Sequence, residues 1–115
     1  MSIIESYGFG RMTIDGKSYT KDVIIYPDGS ILSPWWRNQG HVLDLDDIRD
    51  LIAAAPDIII CGTGAMGIMR PSAALQEHLA ARNIEFIAQK SSKAVETYNR
   101  MSGTRKTGGC FHLTC

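Results

Sequence analysis

A chain of 115 residues, 44% apolar and 21% charged, has the size and composition of one hydrophobic core rather than two. Twelve basic residues balance twelve acidic ones, so no net field recruits nucleic acid, and the apolar content excludes bulk disorder. No apolar run approaches the roughly 18 residues of a membrane helix, and the N-terminal MSIIESYGFG lacks the basic and apolar regions of a secretory signal, so the expected setting is cytoplasmic with no membrane insertion.

The first half predicts an antiparallel β meander. Ile3 and Ile4 open a strand that ends at Gly8 and Gly10, Met12 to Ile14 forms a second, and Asp15-Gly16 is a hairpin signal. Tyr19 to Tyr26 reads as one β-branched and aromatic strand. Pro27-Asp28-Gly29 is a turn, because Pro presets φ and Gly accepts the left-handed position. Ile31 and Leu32 start a fourth strand, and Ser33 to Val42 is an irregular loop.

The second half changes rhythm. Asp44 caps a helix whose stripe is Leu45, Ile48, Leu51, Ile52 and Ala55, with Pro56 as its stop. Ile58 to Cys61 is a strand buried on both faces. Pro71 suits a first helical position, Leu75 and Leu79 form the buried stripe of that helix, and Asn83 ends it. Ile84 to Ala88 is the next strand. Ser91 or Ser92 caps a third helix through Tyr98 and Met101, and Gly109 to Leu113 is the last strand. The order βαβαβ over residues 57–115 makes its first two strands parallel. The whole chain, 1–115, is expected to be one α/β domain.

Gly62, Gly64 and Gly67 follow the buried strand as G-x-G-x-x-G. Glycines let backbone approach a ligand, and open amides near a helix start attract an anion. A dinucleotide site is not supported. The helix starts four residues past the third glycine, the next strand ends on Gln89 instead of an acid, and no second nucleotide-binding half exists. Two readings stay open: a tight structural turn, or a small-anion site built from Gly62, Thr63, Gly64, Gly67, Arg70, Lys90 and Ser91. No cofactor is assigned.

Trp35, Trp36, Arg37 and His41 share the long loop. Trp and Arg are enriched at binding hot spots, so Trp36, Arg37 and His41 are candidate partner or cleft residues, with at least one tryptophan expected to plug the core. His112 and Cys115 form H-x-x-C, but the other His and Cys residues lack the spacing of a zinc site, and no metal is assigned. An odd set of three cysteines, Cys61, Cys110 and Cys115, without C-x-x-C does not form a disulfide framework. No nucleophile–base pair or metalloprotease motif appears, so no catalytic residue is named.

The stretches Ile58–Gly64, Ala94–Asn99 and Gly108–Cys115 together resemble the Mth-domain family, over nearly the whole chain. Trp36-Arg37 with His41, and the ending Phe-His-x-Thr-Cys, resemble its adipogenesis-associated branch most. The resemblance implies a three-layer α/β fold with a mixed central sheet and an added β layer, with a cleft near the glycine turn. It supplies no reaction. A mitochondrial branch of the family serves in respiratory complex I assembly. Three functions are weighed: a non-catalytic binding or assembly module with a protein partner, a protein or enzyme holding a small anion, and a thiol protein using Cys110 or Cys115.

Overall fold

The chain reverses early, because Asp15 and Gly16 both take left-handed backbone (φ 49° and 84°) and close a tight hairpin. The computed structural model describes residues 2–115. Strands β1 (Ile4–Gly8), β2 (Arg11–Ile14) and β3 (Lys17–Tyr19) form a three-stranded antiparallel sheet of their own. The long strand expected over Tyr19 to Tyr26 is broken. β3 ends at Tyr19, residues 20–22 cross between layers, and β4 (Val23–Ile25) enters a second sheet. The β-branched run read as one strand because propensity does not register a change of sheet partner. β5 (Ile31–Leu32) folds back on β4 through the Pro27–Gly29 turn.

The main sheet has the order β5-β4-β10-β7-β9, with β7 at Ile58–Thr63, β9 at Glu85–Gln89 and β10 at Thr107–His112. β7 runs parallel to both β9 and β10, while β4 is antiparallel to β10. The sheet is therefore mixed. All six residues of β7 and all six of β10 are buried, with apolar residues and glycines at the centre of each and the polar Thr63, Thr107 and His112 at the ends. Two further short strands, β6 (Val42–Leu43) and β8 (Arg70–Pro71), pair in parallel.

Side chains alternate between two cores. Ile24, Ile59, Cys61 and Cys110 face a layer made by a 3-10 turn (Leu45–Ile48), α1 (Arg49–Ala53) and α2 (Ala73–Ala81). Val23, Ile25, Ile58, Ile60 and Phe111 face α3 (Ser91–Ser102) and the small sheet, through Ala94, Tyr98, Ile4, Met12 and Ile14. Tyr98 meets Phe111 edge-on, centroids 5.9 Å apart. This is the three-layer arrangement with an added β layer. No helix among the described residues is long and apolar enough to cross a membrane.

Three local expectations are corrected. Asp44 does cap its element with a full capping box, but the first turn is 3-10 and α1 begins only at Arg49. Pro71 closes β8, and the N-cap of α2 is Ser72, whose hydroxyl accepts from the Leu75 N–H at 3.1 Å. Neither Ser91 nor Ser92 caps α3. Lys90 holds the N-cap position, and Ser91 is the first helical residue, fully buried.

Cys61 and Cys110 are register partners on β7 and β10, both without exposure, whereas Cys115 is exposed. A hydrogen bond to Cys61, with burial, pushes the Cys110 thiol up. In native buffer a thiol reagent is therefore expected to label Cys115 alone, with Cys61 and Cys110 reacting only on unfolding. Mass spectrometry of alkylated peptides checks this, and rapid labelling of Cys61 would refute the packing.

Candidate functional site

The register of β4 on β10 pairs Val23 with Phe111, which carries Asp22 to His112 just beyond. The Asp22 carboxylate accepts three hydrogen bonds there: from the Leu113 N–H at 2.7 Å, from Arg37 Nη1 at 2.8 Å, and from His112 Nδ1 at 2.8 Å. Burial opposes its charge, but the bonds from His112, Leu113 and Arg37 outweigh burial and hold the carboxyl below its usual range.

The loop after β5 delivers Arg37 to this carboxylate. Ser33 Oγ donates to the Asp22 carbonyl and the Trp35 N–H donates to the same oxygen at 2.9 Å. Trp35 is the plug. It is 3% exposed, packs against Leu43 and Ile48, and donates its indole N–H to the Asp47 carbonyl at 2.9 Å. The Arg37 guanidinium lies 4.8 Å from the Trp35 ring centre and also donates to the Gly40 carbonyl. Trp36, the next residue, is 75% exposed.

His112 Nδ1 stands 2.8 Å from an Asp22 oxygen and 3.1 Å from Arg37 Nη2. One ring nitrogen cannot donate to the first and accept from the second. The shorter distance and the negative charge put the proton on Nδ1, donated to Asp22. Nε2 then holds the lone pair in the neutral ring, and it is buried with no hydrogen-bond partner among the described residues. Beside this cluster lies a depression of about 300 Å3, lined by Lys21, Pro34, Trp36, His112 and Thr114 among others.

Of the two readings open for the glycine turn, its hydrogen bonds favour the tight structural one. Gly64 N–H donates to Ser91 Oγ at 2.9 Å, and Ser91 Oγ donates onward to the His112 carbonyl at 2.6 Å. Ala65 N–H goes to the Thr114 carbonyl, Gly67 N–H to the Gly64 carbonyl, Ile68 N–H to the Cys115 carbonyl and Met69 N–H to the Thr63 carbonyl. Thr63 Oγ1 donates to the Gln89 carbonyl. The amides of residues 64, 65 and 67–69 are thus engaged by the protein itself, which favours the tight turn over a small-anion site at Gly62, Thr63, Gly64, Gly67 and Ser91.

The glycines have packing reasons instead. A Cβ on Gly62 would meet Phe111 at 2.7 Å and Ser91 at 2.8 Å, and one on Gly64 would collide with the Cys115 backbone. Arg70 is exposed on the β6–β8 pair, its N–H bonded to the His41 carbonyl, while Lys90 packs its stem toward Gly67. His41 is exposed and enters no side-chain hydrogen bond among the described residues. Of the sequence candidates, the structure joins Arg37 to the buried cluster and puts Trp36 at its rim. Asp22 was missed. Its only signal was an acid at the edge of an apolar run, which resembles any strand-end residue. His112 was considered only as a metal ligand, and it is instead held by a carboxylate.

A family model described as a protein of unknown function (DUF498/DUF598) matches residues 4–112. The chain belongs to the DUF498/DUF598 family. Solved structures carry the same fold at low identity. A conserved hypothetical protein from Pyrococcus horikoshii is 24% identical with a TM-score of 0.84, covering 97% of this chain and 98% of its own. A protein from Bartonella henselae described as an outer membrane protein is 20% identical with a TM-score of 0.83, covering 99% and 96%. A Mth938-like domain from Bordetella pertussis is 18% identical with a TM-score of 0.67, covering 97% and 85%. These likenesses concern the fold. Among curated proteins there is no match. The Mth-type fold expected from the sequence thus stands, and within the DUF498/DUF598 fold of this chain the Asp22–Arg37–His112 cluster occupies the carboxyl end of β10, beside the glycine turn that follows β7.

Proposed function

We propose that this chain is a cytoplasmic, non-catalytic binding module whose working surface is the carboxyl end of the main sheet. One observation carries the reading: four of the six large apolar side chains that are exposed, Phe9, Trp36, Met66 and Ile68, sit on three segments that border residues 113–115. Gly10, next to Phe9, donates its N–H to the Leu113 carbonyl. Trp36 lines the same depression as Thr114. The loop carrying Met66 and Ile68 bonds to the Thr114 and Cys115 carbonyls. Clustered exposed apolar groups on one end of a domain mark interaction sites, whereas scattered ones do not.

The buried pair of Arg37 and Asp22 supports this reading by fixing the base of Trp36, so that an aromatic anchor is presented with little ordering left to do on contact. The likeness to the adipogenesis-associated branch, and the assembly role of the mitochondrial branch, agree with a partner-binding protein. Trp36→Ala is expected to leave thermal stability within about 0.5 kcal/mol of wild type, as for an ordinary surface substitution, while abolishing recovery of the partner in affinity capture from cell extract. Equal recovery with wild type and a Trp36→Ala/Met66→Ser double variant refutes the reading.

A second reading rests on His112. The partnerless Nε2 is an acceptor oriented by Asp22, as a small ligand bearing an N–H or O–H group requires. Ligand-induced shifts of the His112 imidazole nitrogens in 15N spectra, during a metabolite screen, test it. An Nε2 resonance unmoved by every compound removes it.

A further inference from the structure

β9 is the outer strand of the main sheet, paired on one side only, with β7. Its hydrogen-bonding phase is fixed at both ends. The Glu85 N–H donates to the Asp57 carbonyl at 3.1 Å, and the Gln89 carbonyl accepts from Thr63 Oγ1 at 3.0 Å. Residues 85, 87 and 89 therefore aim their backbone groups at β7, and alternation aims those of Phe86 and Ala88 outward. No hydrogen bond engages the backbone of Phe86 or Ala88 among the described residues.

The other edges are treated differently. β1 has its Ile4 N–H and carbonyl both bonded to the Asn99 side chain, at 2.9 and 2.8 Å. β3 has three residues and starts with a lysine, and β5 has two. β9 has five residues, no proline, and no charge between Glu85 and Gln89. An unpaired edge of this length and composition pairs with another strand unless something blocks it.

We infer that β9 is a self-association edge, whose occupant is β9 of a second copy, running antiparallel about a two-fold axis at Ile87. The outward groups are self-complementary in that register. Phe86 of each copy exchanges both backbone hydrogen bonds with Ala88 of the other, giving four in all, and Ile87 faces Ile87 as the non-bonded pair. The side chains fit the same axis: each large Phe86 meets the small, exposed Ala88 of the other copy. The strand also runs from an acid, Glu85, to a base, Lys90, just beyond its end. Antiparallel pairing places Glu85 of one copy at Gln89 and beside Lys90 of the other, twice over, and no like charges oppose. α2 and α3 cover the two faces of β9, so the edge itself is the part left for contact.

The test is sedimentation of the full chain from about 1 µM to about 1 mM, the span in which small interfaces dissociate, with amide hydrogen exchange at both ends of that range. The expected result is a concentration-dependent doubling of mass, with the Phe86 and Ala88 amides gaining at least tenfold protection and the amides of β3 unchanged. Ala88→Pro removes one outward donor without touching the β7 ladder, and is expected to leave a monomer at every concentration with native circular dichroism. Ala88→Lys, at an exposed side chain, repeats the test should the proline disturb the fold. A wild-type monomer throughout, a dimer with unprotected Phe86 and Ala88 amides, or a dimer that survives both variants overturns the proposal. Protection of those amides only when a peptide from another protein is added overturns it too, because the occupant is then not a second copy.

Discussion

Asp22→Ala is expected to lower the melting temperature by about 10–20 °C, a loss of about 3–5 kcal/mol for removing one partner of a buried ion pair in a domain of this size. The side chains of Asp22 and Arg37 are 14% and 6% exposed, so solvent does little to replace the lost partner. The substitution strands three donors at once, on Arg37, His112 and Leu113. The combination Asp22→Leu with Arg37→Leu is expected to lose less than Asp22→Ala alone, since no buried charge is left uncompensated. Thermal melts of the variants decide the matter. A loss under about 1 kcal/mol for Asp22→Ala, the range of exposed pairs, would show that the cluster contributes nothing of consequence.

The same carboxylate sets an acid dependence. Its folded value lies below the unfolded one, so the folded state binds fewer protons and gains stability where Asp22 is ionised. That contribution is complete above about pH 4, the unfolded range of an aspartate, and is lost as pH falls through the lowered folded value. Denaturant titrations of wild type and Asp22→Asn should therefore converge toward strongly acid pH. Parallel curves would exclude the effect.

Gly64→Ala is the second large effect, with an expected loss of at least about 2 kcal/mol. Gly64 has φ 103°, and an added Cβ would collide with the Cys115 backbone and approach His112 Cδ2 at 2.8 Å. Gly40→Ala, in open space without a left-handed requirement, serves as the near-neutral control. The contrast separates two meanings of a glycine-rich turn. If Gly64→Ala were as stable as wild type, the close packing of residue 115 on the turn would be wrong. Because the loss is expected without any ligand, a binding defect in this variant says nothing about an anion.

How much of this was legible beforehand follows from the range of the interactions involved. β7, the hairpin at Asp15-Gly16 and the C-terminal end of α2 were readable because each is set within a few residues, by an apolar run, a turn dipeptide or a terminating Asn83. The split of Tyr19–Tyr26 between two sheets was not, since Tyr19 and Val23 look alike until their partners Met12 and Phe111 are known. The glycine pattern was seen but left between two readings, because closing its amides takes Ser91, Thr114 and Cys115, from distant parts of the chain. The buried cluster joins residues 22, 37 and 112, and only the pairing of β4 with β10 reveals it.

The position of β10 has a consequence for how the molecule is assembled in time. It is the last strand in chain order, yet it lies in the middle of the main sheet, between β4 and β7. While a ribosome is still making residues 107–112, the β4–β5 hairpin and the β7–β9 pair are two fragments with no common ladder, each showing a bare apolar flank. Order is then reached in a single late closure dominated by contacts far apart in sequence, which places this domain among slow folders for its length.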